Sequence, residues 1–171
     1  LPISLTWLSS YLKDRSQRVR LGEFTSPTVP LSFGVPQGSV LGPLLFTLYT
    51  APLSAAIQGH SVSHHLYADD SQIYLSFCSR DSTISLHVLQ ECLASVQEWM
   101  LANKLKLNPG KTEFLLVGNK VQRNKFVSLF PLDLMGNEVK PAKSARNLGV
   151  IFDESFNFRK HISQVCASCY Y

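Results

Sequence analysis

The longest patterned stretch of the chain, from about Ser82 to Lys104, repeats its apolar residues with the period of a helix. The stripe at i, i+4 spacing consists of Ile84, Val88, Leu89, Cys92, Leu93, Val96, Trp99 and Met100. A stripe of this width predicts a helix that packs on other elements. We expect burial of Val88, Cys92, Val96 and Trp99.

A second, largely buried helix is predicted from about Leu41 to Ile57. Ser39 has the side chain of a helix cap, and Pro43 is tolerated because it falls in the first turn. Pro52 should bend or end this helix, since proline cannot donate the backbone hydrogen bond. Shorter helices are predicted around residues 7–12 and from about Phe158 onward.

Strand patterns occupy most of the remaining chain. Residues 17–24 alternate between polar and apolar, and the strand-like stretches 62–68 and 71–77 flank an acidic pair. Further strands are predicted over 112–118, 132–140 with a turn at Gly136 and Asn137, and 147–152. Together these elements predict an α+β fold in which two helices, 41–57 and 82–104, back an antiparallel sheet.

Composition adds a few limits to this picture. The 171 residues, 45% of them hydrophobic, suffice for one domain with a core, and the net charge of +4 is a mild bias toward anionic partners. The cysteines are few and irregularly spaced, so a reducing intracellular setting, cytoplasm or nucleus, is expected. We expect no signal peptide or membrane span, and both chain ends look cut from something longer.

The acidic pair, Asp69 and Asp70, lies between two strand-like flanks and is expected at a hairpin tip. A tight turn would direct both carboxylates toward a shared divalent cation, whereas an ordinary Asp-rich turn would need no ligand. An acid–base hydrolase is a further alternative, but it needs carboxylates that are separated and differently surrounded. The stretch by itself leaves these interpretations open.

Two other stretches have polar or flexible residues suited to a nucleotide ligand. Gln37 can both donate and accept hydrogen bonds, and Gly38 lets a flat ligand approach the backbone, although a plain capped loop would look the same. "KLKLNPGKTE", residues 104–113, brings three lysines to a turn. It lacks the first glycine of a phosphate-binding P-loop, so a solvated basic turn or a phosphate-chain contact remains.

Four ordered motifs, "GVPQGSVLGPLLF", "YADD", "KLKLNPGKTEFLLVG" and "NLGVIFD", closely resemble successive palm motifs of reverse transcriptases of non-LTR (LINE-like) retrotransposons. The resemblance covers nearly the whole chain. It implies that residues 1–171 are a partial reverse transcriptase domain with a palm-type sheet, without the fingers. "FNFRKHISQV", residues 156–165, resembles the start of the connection to the thumb that follows the palm.

The resemblance also implies roles for individual residues. Asp69, the principal ligand, and Asp70 would hold Mg²⁺ in a two-ion site beside the primer end, with Tyr67 next to them. Gln37 and Gly38 would line the template and incoming-nucleotide pocket, and Lys111 would lie near the triphosphate. The implied partners are an RNA template, a DNA primer and a deoxynucleoside triphosphate.

One family feature is expected to be missing, an aspartate in a motif that precedes the Gln-Gly segment. Upstream of Gly34 the acids are Asp14 and Glu23, and neither stands in the family's Asp-x-x-x-Ala-Phe-Asp setting. Two interpretations follow. The chain is part of an RNA-directed DNA polymerase, or it is an inactive retroelement remnant that at most binds nucleic acid weakly. For the chain alone, inactivity is expected.

Overall fold

The computed structural model describes residues 3–36, 38–126, 132–134 and 136–170. The chain divides into two compact units, 1–49 and 50–171, and each is described by itself. No helix in the described part of the chain combines the length and the apolar character that a membrane crossing requires.

The first unit begins with helix α1 (Ile3–Leu12) and continues in short strands, β1 (Arg15–Gln17), β2 (Arg20–Leu21), β3 (Phe24–Thr25) and β4 (Val29–Leu31). β1 pairs with β4 and β2 with β3, in both cases antiparallel. The prediction of one strand over 17–24 is therefore wrong. The chain reverses at Gly22, whose φ of +61° suits glycine, so the alternation there belongs to a small hairpin.

The predicted helix over 41–57 forms as two helices, α2 (Gly42–Thr50) and α3 (Leu53–Gln58). Ser39 acts as the predicted cap, because its Oγ accepts a hydrogen bond from the backbone N–H of Gly42 at 3.2 Å. The interruption comes at Ala51 and Pro52, where proline was expected to bend or end the helix.

The second unit contains the remaining elements. After α3 these are β5 (Ser63–Tyr67), β6 (Asp70–Tyr74), α4 (Ser82–Ala102), β7 (Phe114–Leu115), α5 (Lys120–Phe126), β8 (Leu132–Leu134), β9 (Asn137–Val139), β10 (Pro141–Ala142), β11 (Ser144–Asn147), β12 (Val150–Asp153) and α6 (Arg159–Cys169). The predicted helices at 82–104 and from about 158 are thus confirmed.

The core of the second unit joins α3 to α4. Leu53 and Ile57 of α3 are buried against Cys92 and Val96 of α4, and Ile57 and Cys92 are completely inaccessible. Burial raises the pKa of the Cys92 thiol, which fits its predicted role as a core residue. The β5–β6 hairpin adds Leu66 and Ile73 to this cluster. α3, the second half of the predicted helix 41–57, and α4 therefore back one strand pair.

The buried face of α4 differs in part from the predicted stripe. Cys92 and Val96 are buried as expected, but Val88 and Trp99 are only half-buried, so the prediction for these two residues is corrected. Leu86 is buried in their place. The apolar stripe is wider than the surface that α3 and the hairpin cover, so its edge stays partly exposed.

Strand pairing is more fragmented than the sequence suggested. Within the described residues the strands form six two-stranded sheets, of which five are antiparallel and β7–β10 is parallel. The predicted strand at 112–118 shrinks to Phe114–Leu115, and 132–140 turns before Asn137, with Met135 outside the described residues. Mixed helices and small, mostly antiparallel sheets confirm an α+β fold.

Candidate nucleotidyl-transfer site

The acidic pair lies on the predicted hairpin. β5 and β6 pair in antiparallel register from Ser63 opposite Tyr74 to Tyr67 opposite Asp70, so the connecting turn consists of Ala68 and Asp69. Ala68 has a φ of +52°. A two-residue hairpin turn requires such left-handed backbone, which costs alanine about 1–2 kcal/mol and glycine little.

The structure corrects the predicted position of Asp70. Both acids were expected in the turn, but Asp70 is already the first residue of β6 and is the register partner of Tyr67. The turn comes one residue earlier because Ala68, and not Asp70, takes the left-handed conformation. Asp69 and Asp70 are both exposed. The two acids are thus neighbouring residues at an accessible tip.

The base of the hairpin is anchored on its inward face. Leu66 and Ile73 pack on the core cluster, and the His64 ring lies 2.8 Å (Nε2 to Oγ) from Ser54 of α3 in a half-buried hydrogen bond. The outward face has exposed side chains, among them Tyr67, which is 67% accessible. The strand pair therefore supports an exposed tip on a fixed base.

A second hairpin contacts the outward face. β11 and β12 pair around a turn of Leu148 and Gly149, and Asn147 at the end of β11 donates from Nδ2 to Oε1 of Gln72 at 3.0 Å. Gln72 lies on β6, two residues after Asp70. This bond ties the "NLGVIFD" motif to the strand of the acidic pair across 75 positions of sequence.

The Gln-Gly motif belongs to the first unit. Gln37 lies outside the described residues. Gly38 is exposed, has a φ of +78°, and a Cβ built on it would meet no atom within 4 Å. Its backbone is therefore open to close approach, and a side chain there would be opposed by the backbone conformation rather than by crowding.

The lysine-rich turn follows α4. Lys104 adopts a φ of +57°, and the backbone N–H of Leu105 donates to the carbonyl of Met100 at 2.8 Å, so the helix ends in a Schellman-type motif with lysine in place of glycine. Lys111 closes a short 3₁₀ turn (Pro109–Lys111) and is exposed. The lysines are accessible, as a contact with phosphate would require.

Arg123 has a structural role that its sequence context did not indicate. Its guanidinium forms an ion pair with the Glu154 carboxylate at 2.8 Å and donates to the Glu154 carbonyl at 2.9 Å and to the Gly118 carbonyl. Only 13% of its side chain is accessible. Arg123 therefore holds α5 to the turn after β12.

Two further acids, Glu113 and Asp153, are engaged with backbone. Glu113 Oε2 accepts from the N–H of Arg146 at 3.1 Å. The Asp153 carboxylate accepts from Ser155 at 2.8 Å and Phe158 at 3.0 Å. Partial desolvation raises the pKa of Asp153, but backbone N–H groups outweigh it and hold the pKa below its ordinary value.

No cluster of three or more His, Cys, Asp or Glu side chains in the described ranges could hold a metal ion. Asp69 and Asp70 are thus an exposed pair without a third such residue among those described. Cys166 and Cys169, the sequence's CxxC, are free thiols on the exposed face of α6. The candidate site consists of two neighbouring acidic residues at the tip of a braced hairpin.

The family profile described as "Reverse transcriptase (RNA-dependent DNA polymerase)" matches residues 1–152. The chain belongs to this family. Enzymes of the family are nucleotidyltransferases that need divalent metal ions. The matched residues include the Gln-Gly motif, the acidic hairpin and the lysine-rich turn, and the match ends before α6.

Individual relatives show which class of reverse transcriptase the chain resembles. The chain is 33% identical to the probable RNA-directed DNA polymerase from transposon BS of Drosophila melanogaster, across 95% of the chain and 18% of that protein. It is 31% identical to the RNA-directed DNA polymerase from mobile element jockey of Drosophila funebris, across 92% and 17%. The resemblance to reverse transcriptases of non-LTR retrotransposons is therefore confirmed.

The probable RNA-directed DNA polymerase from transposon X-element of Drosophila melanogaster is 28% identical, across 92% of the chain and 17% of that protein. The chain thus spans less than a fifth of the length of these relatives. No solved structure matches it significantly.

Proposed function

We propose that residues 1–171 are a partial palm domain of an RNA-directed DNA polymerase, which extends a DNA primer on an RNA template with deoxynucleoside triphosphates inside the cell. Three facts support the proposal: membership of the family, the RNA-directed DNA polymerase activity for which the relatives are named, and the exposed Asp69–Asp70 pair. The pair carries the argument, because it supplies adjacent hard-oxygen ligands on a braced hairpin.

The chemistry of the donors fits Mg²⁺. Magnesium prefers carboxylate oxygens, keeps several waters, and is usually held by one or two carboxylates together with substrate phosphates. When bound, two such ions would activate the primer hydroxyl and stabilise the leaving pyrophosphate. Asp69, at the turn, would be the principal ligand, and Asp70 the weaker one. A further aspartate, from the family motif that precedes the Gln-Gly segment, would complete the site.

The other motif residues position the substrates in this proposal. Tyr67, opposite Asp70 and largely exposed, would contact the primer end. The open backbone of Gly38, with Gln37, would lie against the template base and the incoming nucleotide. Lys111 would donate hydrogen bonds from its ammonium group to the triphosphate. In the intact enzyme the β5–β6 hairpin would extend into a palm-type sheet.

The test is Asp69→Asn in a longer polymerase that contains these residues together with the missing aspartate motif. Asn keeps the size of the side chain but removes the charge that binds the ion, so primer extension should fall at least about a hundredfold. Asp81→Asn, an exposed acid before α4, is the matched control and should stay within about twofold of the parent. Near-normal extension by Asp69→Asn would refute the assignment.

The chain alone should show no template-directed incorporation. Ions about 3.5–4 Å apart must be held from more than one direction, and one hairpin tip approaches from a single side. The absence of a three-ligand cluster in the part of the chain that is described supports this expectation. Primer extension on an RNA template is the assay, with Asp69→Asn as control. Extension that disappears in the variant would contradict it.

Weak binding of nucleic acid is the second candidate function for the chain alone. The exposed lysines that favour it are Lys104, Lys106, Lys111, Lys120 and Lys125. Such contacts are independent of sequence, and the logarithm of affinity falls by about 0.9 per phosphate neutralised for each tenfold rise in salt. A salt titration measures that slope. Binding that is insensitive to salt would exclude the lysine surface.

A further inference from the structure

His65 and Tyr74 form an aromatic pair on the outward face of the acidic hairpin. The alternation of strand residues and the register of β5 with β6 put them on the same face as Tyr67 and Asp70. The two rings stack, with centroids 5.5 Å apart and planes 26° apart. Both residues are exposed, Tyr74 by 46%. Accessible stacked rings next to a functional tip suggest a contact for substrate.

The hydrogen bond inside the pair leaves one donor unused in either arrangement. The Tyr74 hydroxyl and His65 Nε2 are 3.1 Å apart. If the hydroxyl donates to Nε2, the neutral imidazole has its proton on Nδ1. If Nε2 donates instead, the hydroxyl proton is the one left over. The neutral pair therefore always retains one N–H or O–H donor beyond its internal bond, which suits an anionic acceptor.

The distance from the acidic pair defines where such an acceptor would lie. His65 precedes Tyr67 by two residues and Tyr74 follows Asp70 by four, so at about 3.3 Å per residue the pair is about 7–13 Å from Asp70 along the hairpin. A strand of B-form duplex rises about 3.4 Å per nucleotide. A primer that ends at the acidic pair and runs along the outward face of the hairpin would, with a rise of about this size, pass His65 and Tyr74 about two to four nucleotides from its end.

We propose that His65 and Tyr74 bind a backbone phosphate of the primer strand, about two to four nucleotides upstream of the 3′ end. The proposal rests on the proposed function, which places the primer end at Asp69 and Asp70. A primer phosphate is the expected ligand because the aromatic pair lies on the same hairpin as that site and has a spare hydrogen-bond donor for an anion. The contact is local, so it differs from the lysine surface, which is spread along residues 104–125.

An ordinary cross-strand aromatic pair that only stabilises the hairpin is the competing explanation. The two explanations differ in what single and double substitutions do to binding. His65→Phe leaves the Tyr74 hydroxyl, and Tyr74→Phe leaves the imidazole, so each single variant keeps a donor. The double variant keeps two stacked rings but has no donor. A phosphate contact therefore predicts two mild single variants and one strongly weakened double variant.

The experiment measures binding of a fluorescein-labelled DNA primer, annealed to an RNA template, by anisotropy at about 50 mM salt, which keeps the parent complex tight enough for a loss to be measured. Each single variant should weaken binding less than about twofold, and the double variant about five- to tenfold. Tyr170→Phe, at an almost fully exposed position, is the control and should bind like the parent chain. Circular dichroism checks the fold of each variant.

A methylphosphonate scan of the primer needs no protein variant. Replacing one charged phosphate by a neutral group two to four nucleotides from the 3′ end should weaken binding of the parent chain about five- to tenfold, and substitution further upstream should have less effect. Any one of four results would overturn the proposal. In the anisotropy assay these are equal binding by the parent and the double variant, single variants that bind as weakly as the double variant, or no binding by the parent. In the scan it is an equal effect of methylphosphonate at every position.

Failure of this contact is distinguishable from failure of the proposed function. If the primer phosphate is not bound by His65 and Tyr74, synthesis by the longer polymerase still depends on Asp69. If the proposed function is wrong, synthesis survives Asp69→Asn whatever the binding data show.

Discussion

Ile57→Ala tests whether the α3–α4 cluster holds the acidic hairpin in place. Ile57 is completely inaccessible and packs with Leu53, Cys92 and Val96. The substitution removes three carbon groups at about 0.8 kcal/mol each, or about 2.4 kcal/mol of transfer free energy. The cavity that remains adds a further penalty, so we expect the free energy of unfolding to fall by about 3–4 kcal/mol.

Urea-induced unfolding followed by far-ultraviolet circular dichroism measures this loss. Ile84→Ala on α4 is the matched control, because the same three carbon groups are removed from a side chain that is 69% exposed. Alanine is the better helix former, so the control should be neutral or slightly stabilising. A loss below about 1 kcal/mol in Ile57→Ala, or an equal loss in both variants, would refute the packing argument.

The same cavity should affect the hairpin, since Leu66 and Ile73 rest on this cluster. Amide hydrogen exchange over residues 63–74 should become faster in Ile57→Ala and stay unchanged in Ile84→Ala. Unchanged exchange in a clearly destabilised Ile57→Ala protein would show that the hairpin is held by other contacts, among them the Gln72–Asn147 hydrogen bond.

Two further predictions concern the turn after β12. Arg123→Ala removes the donor from two backbone carbonyls and from the Glu154 carboxylate. The Glu154 side chain is 37% exposed, so the ion pair itself contributes little. We expect the free energy of unfolding in urea to fall by about 2 kcal/mol, and almost no loss for the exposed control Lys125→Ala. The pKa of Asp153 is lowered on folding, so its contribution to stability is present above the unfolded pKa of about 3.9 and is lost as pH falls through the folded pKa. The urea midpoint should therefore fall more steeply below about pH 4 in the parent than in Asp153→Asn, and parallel curves would contradict the prediction.

The helices were predictable because their signals are local. Ser39, Pro43 and Pro52 mark where helices begin and end, and the structure follows all three. The detailed burial of α4 was not predictable, because the covered part of its stripe depends on which elements pack on it. Leu86 is buried and Ile84 exposed, a distinction that the i, i+4 pattern does not contain.

Strand pairing was the least predictable feature of the fold. Propensity identifies stretches that favour extended backbone, but it does not choose partners far away in sequence. β7 pairs in parallel with β10, and no alternation or turn signal indicated that contact. The turn of the acidic hairpin was misplaced by one residue for a related reason, because alanine at a left-handed position has no compositional signal.

Three side-chain contacts around the candidate site were also not predicted from the sequence. The Gln72–Asn147, His65–Tyr74 and Arg123–Glu154 pairs involve residues that are unremarkable in the sequence. The second of these pairs follows from the hairpin register once the turn is known, since His65 and Tyr74 are then diagonal neighbours. The other two join separate elements, so they became visible only in the three-dimensional arrangement.

The acids of the second unit differ in what their surroundings leave them free to do. Asp153 accepts backbone N–H groups on both carboxylate oxygens and Glu113 accepts one on Oε2, so each has fewer lone pairs left for a cation. Asp69 and Asp70 are at the exposed end of a strand pair whose inward face rests on the core and whose outward face is tied by Gln72. An exposed acidic tip on an anchored base keeps both acids accessible, and this supports the proposal that a divalent ion binds at the hairpin and not at the other two acids.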